Sequence, residues 1–192
     1  MTIKKLTLKS SFAFILLALL AFSCADTNPQ LKTIKKNGLY KIELPDYMEE
    51  TFHLNNEASL QYQNLFKELY IIVLDEPKDE FHDVISQGDY ANDYTKDIQG
   101  YTNFLLDSHP EREITGGDIK PVKINGLDAR IYEMKETTED GYDITFKAVN
   151  IEGRKKYYQL MVWTLTENME KYNTVMDNMI NSFKEMDRSR KQ

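Results

Sequence analysis

The amino-acid sequence predicts an α+β domain in which helices flank an antiparallel β-sheet. Apolar and polar residues alternate over several short runs, the pattern of half-buried strands. Two of these runs are joined by Asn125-Gly126, and Asn-Gly between apolar runs is the strongest short-range signal of a hairpin. Near the C-terminus apolar residues instead recur at helical spacing, which predicts a helix packed on the sheet.

The first half of the domain is predicted to be mostly strand. Residues 40–44 alternate and stop at Pro45, which predicts a strand ended by a turn. Two further strands are expected at residues 51–54 and 58–65. The unbroken apolar run at residues 69–74 predicts a central strand that is buried on both faces.

Two helices are predicted next. Residues 78–85 form a short candidate, and residues 91–107 form a longer one. The longer segment carries a stripe at intervals of four, three and four residues, namely Tyr94, Ile98, Tyr101 and Leu105. Gly100 lies inside this segment and costs about 1 kcal/mol relative to Ala in a helix.

The second half reads as a strand meander that ends in a helix. Strands are expected near Ile114, at residues 118–124 and 127–135, and then at 142–148 and 156–165. A helix at about residues 168–186 completes the domain. Its apolar stripe consists of Met169, Tyr172, Met176, Met179, Ile180 and Phe183.

The N-terminus has a separate pattern. Three lysines within the first nine residues precede an apolar run at 12–22, and Ser23 then precedes Cys24. This resembles a bacterial lipoprotein signal peptide with its lipobox, which implies cleavage before Cys24 and acylation of its thiol. The apolar run is short for a membrane span. An uncleaved anchor shares this run, and an ordinary secreted protein lacks the placed cysteine.

The resemblance divides the chain into four parts: a signal peptide at 1–23, a lipidated N-terminus and flexible tether at 24–37, a globular domain at 38–186 and a basic tail at 187–192. Cys24 is the only cysteine, so no internal disulfide is expected. The predicted location is the cell envelope, with the lipid bilayer as a partner through Cys24. Ala25 lacks the aspartate that retains some lipoproteins in the inner membrane, which favours the outer membrane.

Composition narrows the classes of partner. Without the three lysines of residues 1–23, the mature chain has 21 basic and 31 acidic residues, a formal charge of −10. A domain of this charge repels nucleic acid, so no nucleic-acid partner is expected.

The order of elements resembles the PsbP-like proteins and their Mog1-like relatives over about residues 38–186. The segments that carry this resemblance are Tyr40-Lys-Ile-Glu-Leu-Pro45, Tyr70-Ile-Ile-Val-Leu74, Ala129-Arg-Ile131, Tyr157-Tyr158, Trp163-Thr164 and Asn181-Ser-Phe183. The resemblance implies an antiparallel sheet covered by helices on both faces. It also implies a binding or assembly module for an envelope protein or a small ligand, without a cofactor. The alternative function is an enzyme acting on envelope material through residues distant in sequence.

Two groups of residues are candidates for chemistry. Acidic residues follow the central strand and could form a loose cation site or a solvated helix start: Asp75, Glu76, Asp79 and Glu80. Aromatic residues could line a ligand cleft or belong to the core: Tyr94, Tyr101, Tyr157, Tyr158 and Trp163. No catalytic motif surrounds the serines or the three histidines.

Overall fold

The computed structural model describes residues 29–87, 90, 93–110 and 113–186. The folded unit begins at Leu31. The predicted signal peptide, the acylation site at Cys24 and the basic tail lie outside the described residues. Within the described ranges, no helix has the length and apolar character needed to cross a membrane.

A seven-stranded antiparallel sheet forms the centre of the fold, in the order β3-β4-β5-β9-β8-β7-β6. Its strands are β3 (Glu49–Glu50), β4 (Leu60–Asn64), β5 (Leu69–Pro77), β6 (Glu113–Ile124), β7 (Leu127–Thr137), β8 (Asp143–Glu152) and β9 (Lys156–Leu165). Strand β5 lies between β4 and β9. Its adjacent residues Ile71 and Ile72 point to opposite faces of the sheet, and both are buried. This confirms the predicted central strand.

A second sheet was not expected. It has the order β1-β2-β10 and consists of β1 (Leu31–Lys36), β2 (Tyr40–Pro45) and β10 (Lys184–Glu185). The prediction of a flexible tether through residue 37 is therefore wrong for β1, which pairs with β2 along its whole length. The turn between them is Asn37-Gly38, and both residues have positive φ, of 48° and 66°. It carries the same Asn-Gly signal as the predicted hairpin at 125–126.

Three helices flank the large sheet, which confirms the predicted class: α1 (Lys78–Val84), α2 (Ile98–Asp107) and α3 (Met169–Ser182). Helix α3 and the small sheet share one core with Ile71 of β5, so we call that side of the large sheet the α3 face. Helices α1 and α2 pack on the opposite side, which carries Ile72 and which we call the open face.

Several boundaries differ from the predictions. Helix α2 begins at Ile98 rather than 91, because the Asp97 carboxylate caps it by accepting the backbone N–H of Gln99 (3.0 Å) and of Gly100 (2.9 Å). Helix α3 ends at Ser182 rather than 186, because Phe183 turns to an extended conformation (ψ 130°) and β10 follows.

The predicted strand at residues 51–54 is a loop, and the short strand β3 precedes it. Strand β6 joins the two segments predicted near Ile114 and at 118–124, with an irregularity between Thr115 and Lys120.

Candidate functional site

The five aromatic residues predicted to share a cleft lie in three different places. Tyr94, Tyr101 and Tyr157 belong to one cluster between α1, α2 and the open face. The rings of Tyr101 and Tyr157 stack at 4.3 Å between centroids, and both side chains are buried. Phe81 of α1 meets both rings edge-on. Tyr101 and Tyr157 thus pack α2 on the sheet, whereas the Tyr94 ring packs edge-on against Phe104 of α2.

Tyr158 lies on the opposite side of the sheet from Tyr157, because neighbouring residues of a strand point to opposite faces. It is buried in the α3-face core, where its ring packs against Tyr40 and Phe183. Burial and the neighbouring Glu185 carboxylate raise the pKa of Tyr158 above its ordinary value. The prediction that Tyr157 and Tyr158 share a cleft is therefore wrong.

Trp163 lies in a third place, where it lines an open groove. Its ring is partly buried on the open face, stacked on Tyr70 at 5.3 Å between centroids and tilted against Phe146 at 5.4 Å. Neither Tyr70 nor Phe146 is among the residues that the sequence predicts for a ligand cleft. They meet because the strand register pairs Tyr70 with Trp163 across β5 and β9, and Phe146 with Trp163 across β8 and β9.

The groove follows the open face beyond the end of α2, and we call it the open-face groove. One part has a volume of about 270 Å³. Its lining includes Leu54, Ile72, Met134, Ile144, Phe146, Met161 and Trp163. The adjoining part has about 360 Å³ and adds Glu68, Tyr70, Thr138, Tyr142 and Leu165. Most of these apolar side chains belong to one apolar cluster on the open face. Among the described residues of that cluster, Leu106 in the last turn of α2 is the only helical one.

A glutamine positions one wall of the groove. Gln61 of β4 is 6% exposed, and its side-chain oxygen accepts the backbone N–H of Leu54 (2.9 Å) and of Asn55 (3.0 Å). Its side-chain nitrogen donates to the backbone carbonyl of Asn55 at 2.5 Å. These bonds close the loop between β3 and β4 and place Leu54 against the groove. They also fix the end of the segment 51–54 as a loop, since the Leu54 N–H bonds to a side chain rather than to a neighbouring strand.

Replacing Gln61 with Leu is expected to lower the free energy of unfolding by about 2 kcal/mol, because three loop groups lose a largely buried partner. The amides of Leu54 and Asn55 should also exchange with solvent faster. Urea unfolding and amide hydrogen exchange measure the two effects. Gln63→Leu is the matched control, since Gln63 lies two residues further along the same face. Equal effects of both substitutions would show that Gln61 does not hold the loop.

The groove has a polar rim. The Tyr70 hydroxyl donates to the Glu68 carboxylate at 2.5 Å, and burial together with this bond raises the pKa of Tyr70 above its ordinary value. The hydroxyl therefore stays protonated at neutral pH and holds Glu68 in place. Lys135 and Glu136 line the groove from the end of β7. The site thus combines an apolar, aromatic floor with a few charged groups at its edge.

The acidic candidates do not converge. Asp75 and Glu76 are neighbours on β5 and point to opposite faces of the sheet. Asp75 pairs with Lys156 at 2.5 Å, whereas Glu76 accepts a hydrogen bond from Tyr101 and burial raises its pKa. Asp79 and Glu80 lie in the first turn of α1, where acids favour the helix N-terminus. Within the part of the chain that the structure describes, no three His, Cys, Asp or Glu residues are placed to hold a metal ion.

No protein-family model matches the sequence, and no curated protein matches it. Among solved structures, the solution structure of cyanobacterial PsbP (CyanoP) from Synechocystis sp. PCC 6803 is similar with a TM-score of 0.57 and 11% identity, over 86% of this chain and 99% of that one.

Two further structures are more distant. A crystal structure from Bacteroides thetaiotaomicron VPI-5482 is similar with a TM-score of 0.53 and 11% identity, over 84% of this chain and 50% of that one. LpqN of Mycobacterium tuberculosis, which is involved in cell envelope biogenesis, has a TM-score of 0.48 and 11% identity over 84% of this chain and 94% of its own. A likeness at that score supports no shared function. The structures of CyanoP and of the Bacteroides protein show similarity of fold alone: this chain has a PsbP-like fold.

Proposed function

We propose that the chain is a lipoprotein of the cell envelope, anchored through acyl chains on Cys24, whose folded domain is a noncatalytic binding module. The open-face groove is its binding site, and it receives the apolar part of a small envelope ligand. One observation carries this proposal: Trp163, Tyr70 and Phe146 form a partly exposed aromatic floor on a sheet face that the helices cover only in part.

The composition of the groove supports a binding role. Sites for small molecules are concave and mostly apolar, with a few polar groups that fix the orientation of the ligand. Aromatic rings offer a large contact area with little conformational freedom to lose. Here the floor supplies the apolar area, while Glu68, Lys135 and Glu136 can meet a polar headgroup at the rim.

The same lining gives less support to the enzyme alternative. Nucleophilic and general acid–base catalysis need a nucleophile or a base positioned close to its partner. The described residues that line the groove include no serine, cysteine or histidine. Its Glu68 carboxylate is already engaged by the Tyr70 hydroxyl.

The envelope part of the proposal rests on the N-terminal pattern. Two or three acyl chains hold a protein durably at a bilayer, whereas one chain gives only marginal binding. Ala25 after the acylated residue favours the outer membrane. In this arrangement the anchor holds the domain close to the membrane surface, where it samples ligands.

The groove is tested with N-phenyl-1-naphthylamine, an uncharged apolar probe. Trp163 is the only tryptophan and lies in the groove, so a bound probe should quench its fluorescence by energy transfer. Replacing Ile144 with Glu is expected to weaken the Kd about tenfold, which corresponds to 1.4 kcal/mol, because a charge then enters the apolar lining.

Val84→Glu is the matched control for this experiment. Val84 is an exposed apolar residue of α1, outside the groove lining, so the same change of charge there should leave the affinity unaltered. Circular dichroism verifies that both variants are folded. The absence of probe binding to the wild type, or equal binding by Ile144→Glu, would contradict the assignment of the groove.

A further inference from the structure

We propose that the turn between β4 and β5, with Leu65 and Phe66 at its tip, is a docking surface for the lipid bilayer. This inference rests on the proposed function, since it needs the anchor at Cys24. The side chain of Phe66 is 102% exposed and that of its neighbour Leu65 is 60% exposed. Two adjacent large apolar side chains at a single tip form one exposed apolar patch, whereas apolar residues that are exposed singly are ordinary on a protein surface.

Hydrogen bonds hold the turn that carries these side chains in place. The N–H of Lys67 donates to the backbone carbonyl (3.2 Å) and to the side-chain oxygen (2.9 Å) of Asn64. The side-chain nitrogen of Asn64 donates in turn to the backbone carbonyl of Tyr47 at 2.7 Å. The tip is therefore fixed on the loop that follows β2, and its apolar side chains do not fold back onto the core.

The chain enters the domain at the same end. Leu31, the first residue of β1, lies opposite Pro45, the last residue of β2. Tyr47 follows Pro45 by two residues, and its backbone carbonyl accepts a hydrogen bond from the Asn64 side chain. The Lys67 ammonium lies 4.8 Å from the centre of the Tyr47 ring. The entry point of the chain and the Leu65–Phe66 tip are thus linked through the end of β2 and Tyr47.

The length of the connecting segment limits how far this end can be from the bilayer. Leu31 follows Cys24 by seven residues, which span at most about 25 Å when fully extended. Acyl chains on Cys24 therefore keep the bilayer within a short distance of the tip. At such a high effective concentration, even the weak affinity of two apolar side chains is sufficient for contact.

A second turn at this end adds to the surface. Strands β5 and β8 begin at the same end of the sheet, because Leu69 pairs with Thr164 of β9 and Thr164 pairs with Thr145. Tyr142, in the turn before β8, is 60% exposed, and tyrosine favours the membrane–water interface. The same turn also exposes the acidic Glu139 and Asp140, so we assign only the aromatic ring of Tyr142 to the surface.

The charge of the chain indicates which interaction holds this surface at the bilayer. A mature chain with a formal charge of −10 gains nothing from anionic lipid. Contact therefore depends on burial of Leu65 and Phe66 in the interface, and it should be stronger on zwitterionic than on anionic vesicles.

A single label at Phe66 tests the inference. Cys24 is the only natural cysteine and is acylated in the proposed form, so Phe66→Cys supplies the one thiol for the environment-sensitive fluorophore NBD. The full acylated chain is reconstituted in vesicles of phosphatidylethanolamine and phosphatidylcholine, with and without lipids carrying a doxyl quencher. Val84→Cys in α1 is the control, because Val84 is an exposed apolar residue of another element.

The expected result is emission at shorter wavelength and strong doxyl quenching for the label at 66, and solvent-like emission for the label at 84. Solvent-like emission at 66 in protein whose intact mass shows the acyl chains overturns this inference and leaves the anchor intact. Equal quenching at both positions also overturns it. A missing acyl increment contradicts the proposed function and this inference together, because without the anchor nothing holds this end of the domain near the bilayer.

Discussion

Replacing Cys24 with Ala is expected to abolish acylation of the chain and, with it, anchoring through acyl chains. The thiol is the group that takes the acyl chains in the lipoprotein that this N-terminus resembles, and alanine offers no nucleophile in its place. Intact mass spectrometry of membrane-extracted protein measures the effect directly. The wild type should lack residues 1–23 and carry an acyl increment, and the variant should lack that increment.

The control keeps the cysteine and changes its neighbour. Ser23→Ala preserves a small residue before the cleavage point, so its processing and its acyl increment should match the wild type. A wild-type chain that retains all 192 residues in the membrane would instead indicate an uncleaved N-terminal anchor. A cleaved chain without acyl mass would indicate ordinary secretion.

Replacing Gly100 with Ala is expected to lower the free energy of unfolding by about 3 kcal/mol and the Tm by roughly 10 °C. In an exposed helix the same change is stabilising by about 1 kcal/mol. Here a Cβ on Gly100 would overlap the backbone carbonyl oxygen of Thr95 and would lie 2.6 Å from the Thr95 nitrogen. The segment before the helix crosses so close to it that only glycine fits.

Asn103→Ala is the matched control for Gly100→Ala. Asn103 lies in the same helix with an exposed side chain, and its replacement should change the free energy of unfolding by no more than about 0.5 kcal/mol. Thermal and urea unfolding of both variants provide the comparison. A Gly100→Ala variant as stable as the wild type would show that residues 95–100 can separate without cost.

The elements that local pattern determines were predicted correctly. The apolar run of β5, the hairpin at Asn125-Gly126 and the stripe of α3 each depend on residues within one short segment. The Asn37-Gly38 dipeptide is an equally local signal of a hairpin, so the hairpin of β1 and β2 was predictable from the sequence. The prediction of a tether through residue 37 overlooks this signal. The loop that ends at Leu54 and Asn55 was not predictable in this way, because the bonds at these two residues come from the side chain of Gln61.

The candidate site depended on contacts between distant residues. That Tyr157 and Tyr158 lie on opposite faces follows from strand alternation alone. The stack of Tyr70 on Trp163 follows only from the register of β5 against β9, which joins residues far apart in the chain. The position of the groove depends further on where α2 ends on the open face.

By itself, the sequence determined the class of fold, the principal strands and helices, and the Cys24 pattern from which the envelope location is proposed. These depend on the period of apolar residues and on short motifs, which are properties of neighbouring residues. Only the tertiary structure decided which aromatic residues are core and which line a groove, and why Gly100 is required. Both are set by strand register and by the approach of separate segments, and local propensity carries no information about either.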